Sequence, residues 1–488
     1  MQTATRSNSL AVAVAVAASA MATLLAACGT HAAQHDEPGP ALNADVTAAV
    51  AAVSTRQIEA RIRALVGFGT RHTLSEIDSD TRGIGAARRW IAREWQACST
   101  ATGGRLQVTF DEHLVPAGTR VPRATSVVNV VGTLPGTDPQ ARERLIVVSG
   151  HYDSRVGDVM NATSDAPGAN DDASGVAAVM EMACVMARYR YPATLVFIAV
   201  AGEEQGLLGA EQWAARAQRD GLRVEAMITN DIIGSPVGDR DQRDAQQVRL
   251  FADALAPLLQ AALSQPTPGA GRAETVFAES LRSQVLAQVR AGGSADFGAN
   301  QLGRHLKEAG ERYVPGFTVN LIQRPDRYLR GGDHLPFLSR GFAAVRMTEP
   351  FENFAHQHQD VRTEAGKRYG DLPEFVEYAY VADVTRINLA GLATLALAPA
   401  APRNAVIETL ELSNDTTLRW DPVPEAGLAG YRIVWRETGS PTWQHRQDVG
   451  KVLRATLPLS KDNLIFGVQA LGADGNASMA SFPLPLRR

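Results

Sequence analysis

Four short runs, residues 126–132, 145–149, 194–201 and 227–233, are apolar and rich in β-branched residues along almost their whole length. A strand wetted on one face alternates apolar with polar residues, whereas a strand covered on both faces does not. The runs therefore predict strands held between two helical layers. A helical pattern over residues 175–189 separates the second run from the third. That order predicts an α/β fold with a mostly parallel sheet sandwiched by helices. A fifth run over 342–347 and a helix over about 384–398 complete this domain. Upstream, Ser54 is placed to cap a helix in which Ile58, Ile62 and Leu65 share one face, and a second helix is expected over about 85–98.

The polar residues that matter stand where these runs stop. Residues 145–149 lead into Gly150-His151-Tyr152-Asp153, residues 194–201 into Gly202-Glu203-Glu204, and Met227 to Asn230 into Asp231. In an open parallel sheet the carboxyl ends of the strands share one edge, where ligands bind. Between the second and third runs lies Gly168-Ala169-Asn170-Asp171-Asp172-Ala173-Ser174-Gly175, a turn-forming loop with two adjacent carboxylates. Paired acids there suit either a metal or a helix N-cap. Imidazole and carboxylates meeting at one edge form an N/O ligand set that zinc accepts. Asp153, two residues beyond His151, could accept the other N–H of that imidazole and orient it.

These segments, continued by Gln205-Gly206-Leu207-Leu208-Gly209 and by Ile232-Ile233-Gly234, resemble the M28 family of zinc metallopeptidases over roughly residues 55–398. The resemblance implies a zinc exopeptidase-like fold and a site for two Zn²⁺ ions bridged by Asp171. His151 and Asp231 would complete one ion, and Glu204 with a late histidine the other. Glu203 matches the general base, with Asp153 behind His151. Asp172 is then left to cap the following helix. The late histidine comes from Phe351-Glu352-Asn353-Phe354-Ala355-His356-Gln357-His358-Gln359-Asp360. Family members carry it four residues before an Asp, which selects His356 over His358. Many carry a Tyr just before it, where this chain has Ala355. His334, in Gly331-Gly332-Asp333-His334-Leu335-Pro336-Phe337, is the candidate to replace that Tyr as an oxyanion or pocket group.

The implied activity is that of a metallo-aminopeptidase acting on peptide or protein substrates. A glutaminyl cyclase is the rival within enzymes, since that family shares a segment like His151 to Ser154, but it normally uses one zinc and a Trp before the late histidine. A binding protein on a retired peptidase scaffold is opposed by the presence of every ligand position and of Glu203.

A net charge of −4 offers no basic field for nucleic acid. Arg6 followed by the apolar residues 10–25 has the order of a secretory signal. It ends in Leu25-Ala26-Ala27-Cys28-Gly29, which resembles the lipobox of bacterial lipoproteins. Residues 1–28 are thus expected to be a signal peptide, Cys28 a lipidated membrane attachment, and residues 29–54 a tether, in an exported periplasmic or cell-envelope lipoprotein. Cys98 and Cys184 either pair or remain separate thiols. The Pro/Gly-rich stretch around 264–272 reads as a loop within the domain. Beyond Pro399-Ala400-Ala401-Pro402, residues 403–488 show short strand-like runs with Trp420 early and Tyr431 in the middle. They are expected to form a small β-sandwich resembling a fibronectin type III domain, a spacer without chemistry.

Overall fold

The computed structural model describes residues 41–264 and 272–486. The expected signal peptide, Cys28 and residues 29–40 of the expected tether lie outside the described residues, as does most of the stretch around 264–272.

Eight strands form the central sheet: β1 (Gln107–Val115), β2 (Thr125–Leu134), β3 (Arg144–His151), β4 (Thr194–Val200), β5 (Arg223–Asn230), β6 (Gln247–Phe251), β7 (Thr318–Ile322) and β8 (Ala344–Thr348). Their order is β1-β2-β4-β3-β5-β8-β6-β7. The middle four, β4, β3, β5 and β8, are mutually parallel, while β1, β2 and β6 join antiparallel to their inner neighbours. The α/β expectation is met, with parallel pairing concentrated at the centre. Every residue of β4 is buried. β1 instead is mostly exposed, burying only Asp111 and Val115, and carries Asp111, Glu112 and His113, so its sequence has no continuous apolar run to announce it.

Helices cover both faces. On β2 the Gly132 position faces the Trp95 ring of helix Gly83–Ala101, while the Asn129 side chain donates to the Gly209 carbonyl of helix Leu208–Arg219 (3.1 Å). An odd separation in a strand puts the two side chains on opposite faces, which assigns these helices to opposite layers. Helix Ala173–Met186 is buried along its entire length, under helices Thr55–Val66 and Tyr378–Leu397. Its Glu181 therefore needs a partner inside the protein, and pairs with the buried Arg61 guanidinium and with the Ser54 backbone N–H (2.8 Å). The Ser54 hydroxyl caps helix Thr55–Val66 by accepting from Gln57 N. Cys98 and Cys184 form a disulfide between helices Gly83–Ala101 and Ala173–Met186. The expected tether is shorter than residues 29–54, because helix Ala44–Ala51 buries Val46, Ala49 and Val50 in the main core.

Beyond the two prolines, seven strands make two sheets, one of four strands and one of three. They enclose a separate core of Leu418, Trp420, Tyr431, Ile433, Leu457, Phe466 and Val468. The Tyr431 hydroxyl accepts from Val423 N (2.9 Å), which satisfies the polar end of a ring packed against Trp420.

Candidate metal centre

The parallel strands deliver their terminal residues to one edge. His151 ends β3, Glu203 and Glu204 follow β4, and Asp231 follows β5. The loop before helix Ala173–Met186 crosses this edge and brings Asp171 between them. His151 Nε2 lies 3.1 Å from Asp171 Oδ1 and 3.9 Å from Asp231 Oδ1. On the other side, His358 Nε2 lies 2.8 Å from Asp171 Oδ2 and 2.9 Å from Glu204 Oε1. Two groups of three donors result, His151–Asp171–Asp231 and Asp171–Glu204–His358, each with its ligand atoms within 4.8 Å of one another. Asp171 belongs to both through different oxygens.

These donors fit divalent ions. His151 Nε2 is buried and makes no hydrogen bond, yet it points among carboxylate oxygens. An orphaned imidazole nitrogen beside two acids, in an N/O set of borderline hardness, matches what zinc binds. Burial opposes protonation of His358, but Glu204 and Asp171 outweigh it and push the ring up to about 10. The Asp171 carboxyl is pulled well below the usual range by His358 and His151 in spite of its burial. The carboxylates around the two rings thus favour positive charge at this point, which a bound cation would supply.

The histidine assignment needs correction. His358, not His356, reaches the cluster. His356 stacks on Phe375 with ring centroids 3.5 Å apart and planes 7° from parallel, in a neighbouring small cavity. His358 adopts a left-handed φ of 50°, a local turn that spacing along the chain does not reveal. The residue before the inward ring is consequently Gln357 and not Ala355, and its Nε2 is buried without a partner. His334 is corrected too. It is fully buried, its Nε2 donates to the Pro325 carbonyl (2.7 Å), and it does not line the cavity, so it ties back the loop before it.

The remaining residues fall where the sequence places them. The Asp172 side chain accepts from Gly175 N (2.9 Å) as N-cap of helix Ala173–Met186, and also from His151 N (3.0 Å). Asp153 sits behind His151, with Nδ1 3.2 Å from its carbonyl and 3.6 Å from Oδ1. Its carboxylate also accepts from Thr73 Oγ1 (2.9 Å), Glu203 N (3.3 Å) and Glu204 N (3.1 Å). One side chain therefore orients the ring and fixes the backbone carrying both glutamates. Glu203 lines the cavity, and its carboxylate has no hydrogen bond or ion pair with any described residue. Burial, reinforced by the charges of Asp231 and Glu204, raises its pKa well above the ordinary value.

Three supporting residues carry little linear signal. Asp371 accepts from Asn170 N (2.8 Å) and Asp171 N (2.7 Å), which locks the acidic loop. Arg155 joins Glu204 (Nε to Oε2, 2.8 Å) to the His358 ring (Nη2 to Nδ1, 2.6 Å). Arg346 pairs with Asp231 Oδ1 (2.9 Å), and only its place as a charge inside the apolar run 342–347 marks it out.

Comparison with known proteins adds lineage to this geometry. Residues 129–281 match the model of "Peptidase family M28". A "Probable zinc metalloprotease" of Leptosphaeria maculans is 46% identical over 91% of this chain and 98% of its own length. One from Pyricularia oryzae is 46% identical over 91% of this chain and 85% of its own. Among solved structures, the Legionella pneumophila LapA aminopeptidase is 17% identical with a TM-score of 0.49, over 76% of this chain and 82% of that one. A glutaminyl cyclase of Bacteroides thetaiotaomicron is 14% identical with a TM-score of 0.43, over 70% and 98%.

Proposed function

Because this chain belongs to the M28 family of zinc metallopeptidases, we propose that it is a two-zinc aminopeptidase whose ions share Asp171. The observation that carries the reading is that shared carboxylate, flanked by two complete donor sets and by an unpaired Glu203. His151, Asp171 and Asp231 would hold one ion, and Asp171, Glu204 and His358 the other. When bound, the ions supply Lewis acidity, lowering the pKa of water and polarising a carbonyl oxygen.

The chain's own groups do the rest. Glu203 takes a proton from the attacking water and returns it to the leaving nitrogen, a transfer helped by burial, which raises its carboxyl above the ordinary range and makes it a stronger base. Asp153 keeps Glu203 in place through its backbone N–H and holds the His151 ring. A cavity of about 280 Å³ is at the small end for ligand pockets and suits a chain terminus better than a folded loop.

The reading extends to export, with lipidation at Cys28. What supports export is the Cys98–Cys184 bond, because disulfides persist in oxidising compartments. Among the described residues, no helix is long and apolar enough to cross a membrane.

The catalytic reading is tested with Glu203→Gln in the zinc-loaded protein. Peptide turnover should fall by roughly 10²–10⁴ while zinc content is unchanged. Undiminished turnover would remove Glu203 from the mechanism. Acetylation of the substrate's amino terminus should abolish cleavage, and retained cleavage would end the aminopeptidase assignment.

A further inference from the structure

Five arginines, Arg120, Arg155, Arg327, Arg330 and Arg346, line the cavity beside the cluster. Three are committed to the protein. Arg346 is fully buried and bonded to Asp231 and to the Gly331 carbonyl (2.6 Å). Arg155 is held by Glu204 and His358, and Arg327 by Asp326 (3.0 Å) and Glu352 (3.2 Å).

The other two keep donors free. Arg120 is exposed, makes one bond, to the Glu204 carbonyl (3.0 Å), and has no carboxylate among the described residues within ion-pair distance. Arg330 uses only Nη1, on Glu352, and that acid is already shared with Arg249 and Arg327. Arg249, Arg327, Arg330 and Arg346 share two carboxylates, Glu352 and Asp326, besides the Asp231 that belongs to the donor set, so positive charge at that wall exceeds the acids that meet it. The acids lining the cavity are Asp171, Glu203, Glu204 and Asp231, and each already has a place in the donor sets or as the base. No lining carboxylate remains for a cationic side chain, whereas two guanidiniums, whose planar forks match a carboxylate, remain for an anion.

Resting on the peptidase reading, we propose that the cavity selects substrates carrying a carboxylate next to the cleaved bond, held by Arg120 and Arg330. That carboxylate is supplied by an Asp or Glu side chain or by the free C-terminus of a short peptide. A Lys or Arg side chain in the same position is rejected.

The test uses the zinc-loaded full chain, Arg120→Gln, Arg330→Gln and the double variant. Their substrates are dipeptide amides with Ala, Glu or Lys flanking the bond, together with Ala-Ala bearing a free carboxylate. Wild type should favour a carboxylate-bearing substrate over Ala-Ala-amide at least about tenfold in kcat/KM, with Lys peptides slowest, and the ratio should collapse toward one in the double variant. A preference for Glu amides assigns the side chain as the source, and a preference for free Ala-Ala assigns the C-terminus. Equal cleavage of neutral and acidic substrates, or a ratio that survives the double substitution, would overturn the proposal while leaving the peptidase reading intact. If wild type cleaves nothing, the peptidase reading fails, and calorimetric titration with the Glu peptides decides the present one. Binding lost in the double variant upholds it, and absence of binding to wild type refutes it.

Discussion

At the residue scale, two neighbouring carboxylates do different jobs because the loop turns them in different directions. Asp171 faces both histidines, whereas Asp172 faces back to cap a helix and to accept from His151 N and Ile232 N. Removing that cap should cost about 1–2 kcal/mol, so Asp172→Ala is expected to lower the urea midpoint at an unchanged slope. An unchanged midpoint would deny the cap any energetic role. Most of this site was legible in the chain because each ligand directly follows a buried strand or sits in the glycine-bounded loop. The late histidine was not. It comes from a loop with no strand ahead of it, and the choice between His356 and His358 depends on a left-handed backbone turn and on a Phe375 ring seventeen residues downstream of His358. Neither leaves a mark in residue spacing.

At the scale of elements, the loop between β7 and helix Leu335–Leu338 is held by charge. Burial pushes the Glu352 carboxyl up, but Arg327, Arg330 and Arg249 outweigh it and hold it at about 2. A depressed folded pKa means that this stabilisation is complete above the unfolded value of about 4.5 and is lost as pH falls toward 2. Wild type should therefore exceed Glu352→Gln by on the order of 3 kcal/mol at neutral pH, and the two should converge near pH 2 in urea melts. A gap constant across that range would show that the carboxylate's charge is not what holds the loop. Helices Gly83–Ala101 and Ala173–Met186 are joined by the disulfide, whose replacement by a pair of serines should cost about 2–4 kcal/mol. A replacement that left the melting curve in place would mean that the packing of the two helices alone sets their stability. Interior strands were readable because burial on two faces suppresses alternation. The flanking β1, β6 and β7 have mixed patterns that local sequence does not separate from loops.

At the scale of the whole molecule, the C-terminal sheets are joined to the peptidase core by desolvated charge. Asp296 of the core is fully buried between Arg304 (3.0 Å) and Arg436 of the C-terminal sheet (2.7 Å), and Arg144 of β3 reaches Glu425 (3.1 Å). Long-range pairs of this kind cannot be read from composition, which shows only a linker and a second set of strands. Taking one partner from such a cluster strands the others, so Asp296→Ala should lose about 3–5 kcal/mol. Tryptophan fluorescence and loss of peptidase activity should then shift together, whereas separate transitions would show that the two parts unfold independently.

The two-ion reading rests on the shared Asp171, and metal stoichiometry by mass spectrometry tests it. Wild type should carry two zinc ions per chain, Asp171→Asn close to none, and His358→Ala about one. Asp172→Asn and His356→Ala should both retain two. One zinc in wild type, equal losses from Asp171→Asn and Asp172→Asn, or a zinc lost from His356→Ala but kept in His358→Ala, would contradict the account.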